Sequence, residues 1–214
     1  MMLQRADGLF TSVSRSDVDV SDAKALWQDV YCGEFGWLGV GSDPRADKYH
    51  QRSLYAVCRV NGGLPVGTLR IVHEDDPGFY ITEKLGTAPI SRYLSKGIEV
   101  QRLMVRKEFR DRRLPEAPFG IYGVLVKVCL YHALAVGAEW VLADCHRDID
   151  IGPLKSMKAM GFEETGHSYR DSINDEECIV LIIETKQWIS NTLRNRSRFN
   201  KYLVPDDPAI RMET

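Results

Sequence analysis

Residues 98–136 read IEVQRLMVRKEFRDRRLPEAPFGIYGVLVKVCLYHALAV. Ile98, Val100, Leu103 and Val105 give the first eight positions the apolar weight of a strand, interrupted by Glu99, Gln101 and Arg102. A basic loop from Arg106 to Arg113 follows, then Pro115 and Pro118, then an apolar run that fits a helix through Val136, with Gly137 placed to end it. Strand, cationic turn and helix N-terminus in that order make an anion-binding arrangement, because the first helical N–H groups have no intrahelical partner. A phosphorylated cofactor suits that geometry.

Upstream, Ser53–Val60 and Pro65–His73 read as strands joined by the turn Asn61-Gly62-Gly63-Leu64. Before them come a first strand, Gly8–Ser14, and a helix with Ala23, Leu26, Trp27, Val30 and Tyr31 at helical spacing, capped by Ser21 or Asp22 and ending near Gly33. The connection from Glu34 to Gln51 is long and carries Phe35, Trp37 and Tyr49, which points to a functional loop. An acidic turn, Glu74–Gly78, leads to Phe79–Lys96, read as a short helix or irregular loop. Downstream lie a short buried strand, Trp140–Asp144, a helix Ile151–Met160 stopped by Gly161, and two strands, Phe162–Tyr169 and Glu177–Thr185. Strands, then a strand-helix-strand crossover, then a terminal hairpin predict an α/β fold with a mixed, central twisted β-sheet flanked by helices on both faces. Residues 1–185 form the single domain in this reading, and 186–214 a C-terminal helical tail with a basic run, Arg194, Arg196, Arg198 and Lys201.

The 28 basic and 30 acidic residues leave a net charge of −2, so no overall charge recruits nucleic acid or a membrane surface. No stretch approaches the about 20 apolar residues of a membrane span, and none has the form of a signal peptide. Cys32, Cys58, Cys129, Cys145 and Cys178 are odd in number and lack metal-ligand spacing, so a reducing, cytoplasmic setting is expected and no metal.

The strand Glu99-Val-Gln-Arg102-Leu-Met-Val resembles the Glu-x-Ser-Arg-Phe/Leu-x-Val strand of acyl-homoserine-lactone synthases and of N-acyl amino acid synthases, within the GNAT superfamily of N-acyltransferases. Val30-Tyr31-Cys32-Gly33-Glu34-Phe35-Gly36-Trp37 is similar to their Val-Phe/Tyr…Leu-Gly-Trp segment, Asp43 and Asp47 to their acidic pair, and Val66-Gly67-Thr68-Leu69-Arg70 to their Gly-x-x-Arg strand. The similarity runs from Trp27 to Ile183 with the pieces in the same order.

Attack of an amine on a thioester needs a base, an anchored donor, a hydrogen-bond donor for the oxyanion, and a proton for the leaving thiol. Glu99 is the candidate base, since burial in an apolar strand raises a carboxyl pKa into the useful range. The bland alternative is an ion pair of Glu99 with Arg102 or Arg70. Three residues on in a strand, Arg102 leaves from the opposite face to Glu99 unless a bulge intervenes. Arg70 suits a substrate carboxylate because its planar fork binds carboxylates bidentately. The main-chain N–H of Met104 or Val105 is the candidate oxyanion donor. Donor phosphates are expected near Val105, Arg106, Arg110, Arg112, Arg113, Phe119 and Gly120, and the acceptor near Trp37, Asp43, Asp47, Arg70 and Gln101. Tyr169, His146, Cys145 or a water are the candidates for the leaving-group acid, unless the thiolate leaves unaided on its own low pKa.

The chain departs from the family pattern in three places. Arg110-Asp-Arg-Arg113-Leu-Pro replaces Gln/Arg-x-x-Gly-x-Gly/Ala, so the glycines that admit a pyrophosphate are missing, which favours acyl-phosphopantetheine on an acyl carrier protein over acetyl-CoA. Met157 stands where many members place a tyrosine. Trp27 and Gln101 replace the lactone synthases' Arg and Ser, which points away from S-adenosylmethionine and toward a small amino acid-like amine. The acyl chain would run along Ile121, Leu125 and Val128 and along Leu154, Met157 and Met160, positions that equally read as core. The leading expectation is an N-acyltransferase moving a medium or long fatty acyl group from carrier protein or acyl-CoA to an amine. The alternatives are an acetyl-CoA-dependent small-molecule acetyltransferase and a non-catalytic module that binds acyl thioesters.

Overall fold

The computed structural model describes residues 8–39, 41–43, 48–60, 63–74, 78–147, 152–194, 197–204 and 210–212. Asp47, the Asn61-Gly62 turn, positions 75–77 of the acidic turn, Ile151 and Arg196 lie outside them. In chain order the elements are β1 (Phe10–Ser14), α1 (Asp17–Trp27), a π-helical segment Gln28–Glu34, β2 (Ser53–Val60), β3 (Leu64–His73), α2 (Tyr80–Leu85), a 3₁₀ segment Ala88–Tyr93, β4 (Gly97–Val105), α3 (Gly120–Ala135), β5 (Trp140–His146), α4 (Leu154–Met160), β6 (Glu163–Arg170), β7 (Glu177–Glu184), α5 (Thr185–Arg194), α6 (Arg198–Leu203) and β8 (Ile210–Met212). The fold is α/β with mixed strand pairing, as expected. Two compact units share it: Met1–Arg70, Arg102–Cys129 and Asp206–Thr214 in one, Ile71–Gln101 and Leu130–Pro205 in the other. The division cuts β3 after Arg70 and β4 after Gln101.

In the first unit the strand order is β3-β2-β1-β8. β1 runs antiparallel to β2 from Phe10↔Arg59 to Ser14↔Tyr55, and β8 runs parallel to β1 from Thr11↔Ile210 to Val13↔Met212. Residues 210–212 therefore supply a strand. α1 starts one turn before the position read from its apolar spacing: its cap is Ser16, whose hydroxyl accepts from the Asp19 N–H at 3.2 Å, and not Ser21 or Asp22. The cap comes early because the helix takes Asp17 and Asp19 into its first turn, where acidic groups meet the positive end of the dipole, before its buried face begins at Val20. That face packs Val20 and Ala23 against Tyr55 and Val57 of β2. Arg59 of β2 pins the same layer, with Nη2 2.5 Å from Asp19 Oδ1, Nε 2.6 Å from Asp22 Oδ2 and Nη1 2.7 Å from Ser12 Oγ. Gly67 of β3 lets α3 lie close, since a Cβ there would stand 2.4 Å from Ile121 Cγ2. Ile121, Leu125 and Val128 are buried packing residues.

In the second unit the order is β6-β7-β5-β4. β4 runs parallel to β5 from Gly97↔Trp140 to Val100↔Ala143. β5 extends two residues beyond the expected Asp144, because its antiparallel ladder with β7 continues to His146↔Cys178. β6 pairs with the other edge of β7. Gly137 and Gly161 both adopt positive φ at the ends of α3 and α4, which is the freedom that marks a helix stop.

Candidate active site

Glu99 of β4 is fully buried. Its Oε2 accepts from the Tyr80 N–H at 2.7 Å and its Oε1 from the Ile81 N–H at 3.1 Å. Those are the first two amides of α2, whose own N-cap, Phe79, supplies no side-chain cap. The carboxylate thus takes over the capping of a short helix from a neighbouring strand. Burial pushes the Glu99 carboxyl up to about 7, with the negative charge of Asp144 adding to the rise, while the bonds from Gln101, Tyr80 and Ile81 oppose it. A carboxylate in that range can hold or release a proton near neutral pH.

The rest of the polar cluster in this unit radiates from Asp144. The Tyr169 hydroxyl donates to Asp144 Oδ2 at 2.5 Å, and burial together with that carboxylate drives the phenol well above its usual range. Tyr169 therefore clamps Asp144 and is a weak proton source. The Tyr80 ring meets Tyr169 edge-on at 6.1 Å, and its hydroxyl donates to Asp171 Oδ1 at 3.3 Å. His146, half-buried at the end of β5, has Nε2 3.1 Å from Asn174 Nδ2 and 3.5 Å from Asp171 Oδ2. Gln101, two residues on from Glu99, is buried, and its side chain hydrogen-bonds the Glu99 carboxyl.

The first unit holds a narrow pocket of about 10 Å³, lined by Ala23, Trp27, Tyr55, Thr68, Arg70, Arg102 and Met104, with room for about a single water. Arg70 is almost fully buried. The Arg102 guanidinium lies over the Trp27 ring, 4.8 Å from its centroid. Arg102 is a non-glycine residue at φ +54°, so β4 bulges here and the strict two-residue alternation of the strand fails. Arg70 and Arg102 are the two cationic residues on the wall of this pocket. Trp27, Tyr55 and Thr68 were not read from the sequence as pocket residues. Trp27 reads from the sequence as an apolar helix position and as a departure from the family, and its place opposite β2 follows from that helical spacing.

In the loop after β4, the side chains sort into tied and exposed groups. Arg106 pairs with Asp29 at 2.7 Å and donates from Nε to Pro65 O, while its main-chain N–H donates to Val66 O. Arg110 holds Glu34 with two bonds, at 2.7 and 2.5 Å, and donates from Nε to Val105 O. Both acidic partners belong to the π-helical segment. Lys107, Arg112 and Arg113 are exposed, Phe119 half-buried and Gly120 buried at φ +72°. Trp37 stacks on Phe35 at 4.3 Å, which the Arg110 guanidinium also covers, and Asp43 takes the Lys24 ammonium at 2.8 Å. Met157 and Met160 are buried in the second unit.

Residues 26–118 match the family model described as acetyltransferase (GNAT) domain. Among solved structures, the chain is similar to FeeM, an N-acyl amino acid synthase from uncultured soil microbes, with TM-score 0.68 and 13% identity over 86% of this chain and 93% of that one. It is also similar to BjaI, a CoA-dependent acyl-homoserine lactone synthase solved with SAM and isopentyl-CoA, with TM-score 0.68 and 14% identity over 96% and 94% of the two chains. A putative N-acetyltransferase from Lactobacillus plantarum gives TM-score 0.59 and 17% identity over 83% of this chain and 99% of that one. At these identities the likenesses establish the fold. No curated protein matches the sequence.

Proposed function

We propose that this GNAT-like acyltransferase moves an acyl group, of fatty length, from an acyl-CoA or acyl-phosphopantetheine thioester to the amine of a small amino acid-like acceptor. The observation that carries the reading is Glu99, a fully buried carboxyl raised to about 7. In the reaction the amine nitrogen attacks the thioester carbonyl, the N–C bond forms and the C–S bond breaks. Glu99 takes the proton the amine gives up, directly or through a water, and the thiolate leaves on its own acidity, later collecting a proton from solvent. A main-chain N–H at Met104 or Val105 steadies the oxyanion. Tyr169, whose hydroxyl is tied to Asp144, is a poor source of that proton.

Charge supports the acceptor and donor assignments. Arg70 and Arg102, on the adjacent strands β3 and β4, are the groups whose planar forks would take an acceptor's carboxylate. Exposed Lys107, Arg112 and Arg113 fit the acidic surface of an acyl carrier protein. The second reading is an acetyl-CoA-dependent acetyltransferase, which the family match over residues 26–118 favours. Purified protein given acetyl-CoA, long-chain acyl-CoA or acyl carrier protein, each with an amino acid panel, is expected to release thiol with the long-chain donors. Turnover with acetyl-CoA alone would establish the second reading instead.

A further inference from the structure

We propose that His146, Asp171 and Cys178 form a binding site for a divalent transition-metal ion of zinc type, with one coordination position left to solvent. The antiparallel ladder of β5 and β7 sets His146 directly opposite Cys178, so both side chains leave the sheet on one face. Asp171 follows β6 at the start of the turn into β7. One ligand-type atom from each residue lies within 4.8 Å of the other two. His146 Nε2 and Asp171 Oδ2 are 3.5 Å apart, close to the spacing of two ligands on one tetrahedral ion whose bonds are about 2.0–2.1 Å.

The turn holds Asp171 in this pose. Its Oδ1 accepts from the Ile173 N–H at 3.2 Å and from the Tyr80 hydroxyl at 3.3 Å, which leaves Oδ2 as the oxygen toward His146. The Asp171 N–H donates to Glu176 O and the Asp175 N–H to Asp171 O, both at 2.9 Å. Outer hydrogen bonds of this kind orient metal ligands. Asn174 Oδ1 accepts from the Glu176 N–H at 3.1 Å, so its amide NH₂ faces His146 Nε2 and the imidazole presents a lone pair there. A cation takes the place of that NH₂ donor.

His146 and Asp171 keep side-chain exposures of 18% and 10%, which gives an ion access from solvent, while Cys178 is buried behind them. On binding, the Cys178 thiol gives its proton to solvent and its sulfur becomes the anionic ligand. One nitrogen, one sulfur and one oxygen suit a borderline-soft ion and not magnesium or calcium, which take all-oxygen sets. The sequence hides this site because its members stand far apart and only the strand register joins them.

The test uses the whole chain in a Cys32→Ser background, which removes the half-exposed thiol of the first unit. Titration with Co²⁺ is expected to saturate at one ion per chain, with thiolate charge-transfer absorption and the visible bands of tetrahedral cobalt, and Zn²⁺ is expected to displace it. Cys178→Ser abolishes the charge-transfer band. His146→Ala and Asp171→Asn each weaken binding by about tenfold or more. Cys145→Ser, one position along β5 and on the opposite face, leaves it unchanged, and circular dichroism verifies the fold of every variant. Absence of the charge-transfer band in the parent, or its survival in Cys178→Ser with unaltered affinity in Asp171→Asn, overturns the proposal.

Discussion

At Glu99 two demands act on one carboxyl. As the cap of α2 it is favoured in the charged form by two N–H donors, yet burial and Asp144 prevail and leave it near 7. Because its folded pKa lies above the ordinary glutamate value, its contribution to stability is fully present below about pH 4.5 and is lost as pH rises toward 7. Relative to Glu99→Gln, the wild type is expected to lose up to ~3 kcal/mol between those limits, read by urea unfolding at a series of pH values. In activity the sign reverses, because the base must be deprotonated. kcat/KM should rise with pH through an apparent pKa near 7, and Glu99→Gln should lower it by about 100-fold and remove that limb. An unchanged profile in Glu99→Gln would remove Glu99 from the base role. Arg102 offers a second residue-scale test, since its positive φ penalises a β-branched replacement. Arg102→Val is expected to be about 1–2 kcal/mol less stable than Arg102→Asn in chemical denaturation, both having lost the guanidinium over Trp27.

Among the elements, β2 and α1 depend on each other through a buried charge. Arg59→Ala leaves Asp19 buried without its cation and should cost about 3–5 kcal/mol in urea unfolding, whereas Asp22→Ala, at a more exposed partner, should cost far less. The strands were the most legible part of the sequence. Ser53–Val60 follows its apolar run to the residue, because a buried strand bounded by Arg52 and a glycine turn has few other solutions. Gln28–Glu34 was not legible as a π-helix. Its i→i+5 bonding, as in the Phe35 N–H to Val30 O bond, depends on tertiary partners such as Arg106 on Asp29 and Arg110 on Glu34, which no periodicity encodes. The bulge at Arg102 was equally hidden, since arginine has no special preference for the left-handed region. Glu99 could be picked out as a buried carboxylate, but its capping of α2 could not, because Tyr80 and Ile81 give no sign of where their amides find acceptors.

Over the whole molecule, charge is nearly balanced while the loop after β4 concentrates exposed Lys107, Arg112 and Arg113. If those residues meet an acidic carrier, kcat/KM with acyl carrier protein should fall steeply between low and 0.5 M salt, and Arg112→Glu with Arg113→Glu should lower it about tenfold or more, with little effect on a pantetheine donor. Equal losses with both donors would count against a carrier docking there. The α/β class followed from the order of strands and helices, and so did the crossover around α3. What the order could not convey was the use of residues 210–212, since three positions carry too little pattern to stand out as a strand. Their pairing with β1 has a kinetic consequence. Thr11 and Ile210 are about two hundred positions apart along the chain, so closing that loop is among the most entropically costly steps of assembly. Pulse-labelled hydrogen exchange during refolding should find the amides of β1 that face β8 protected later than those facing β2.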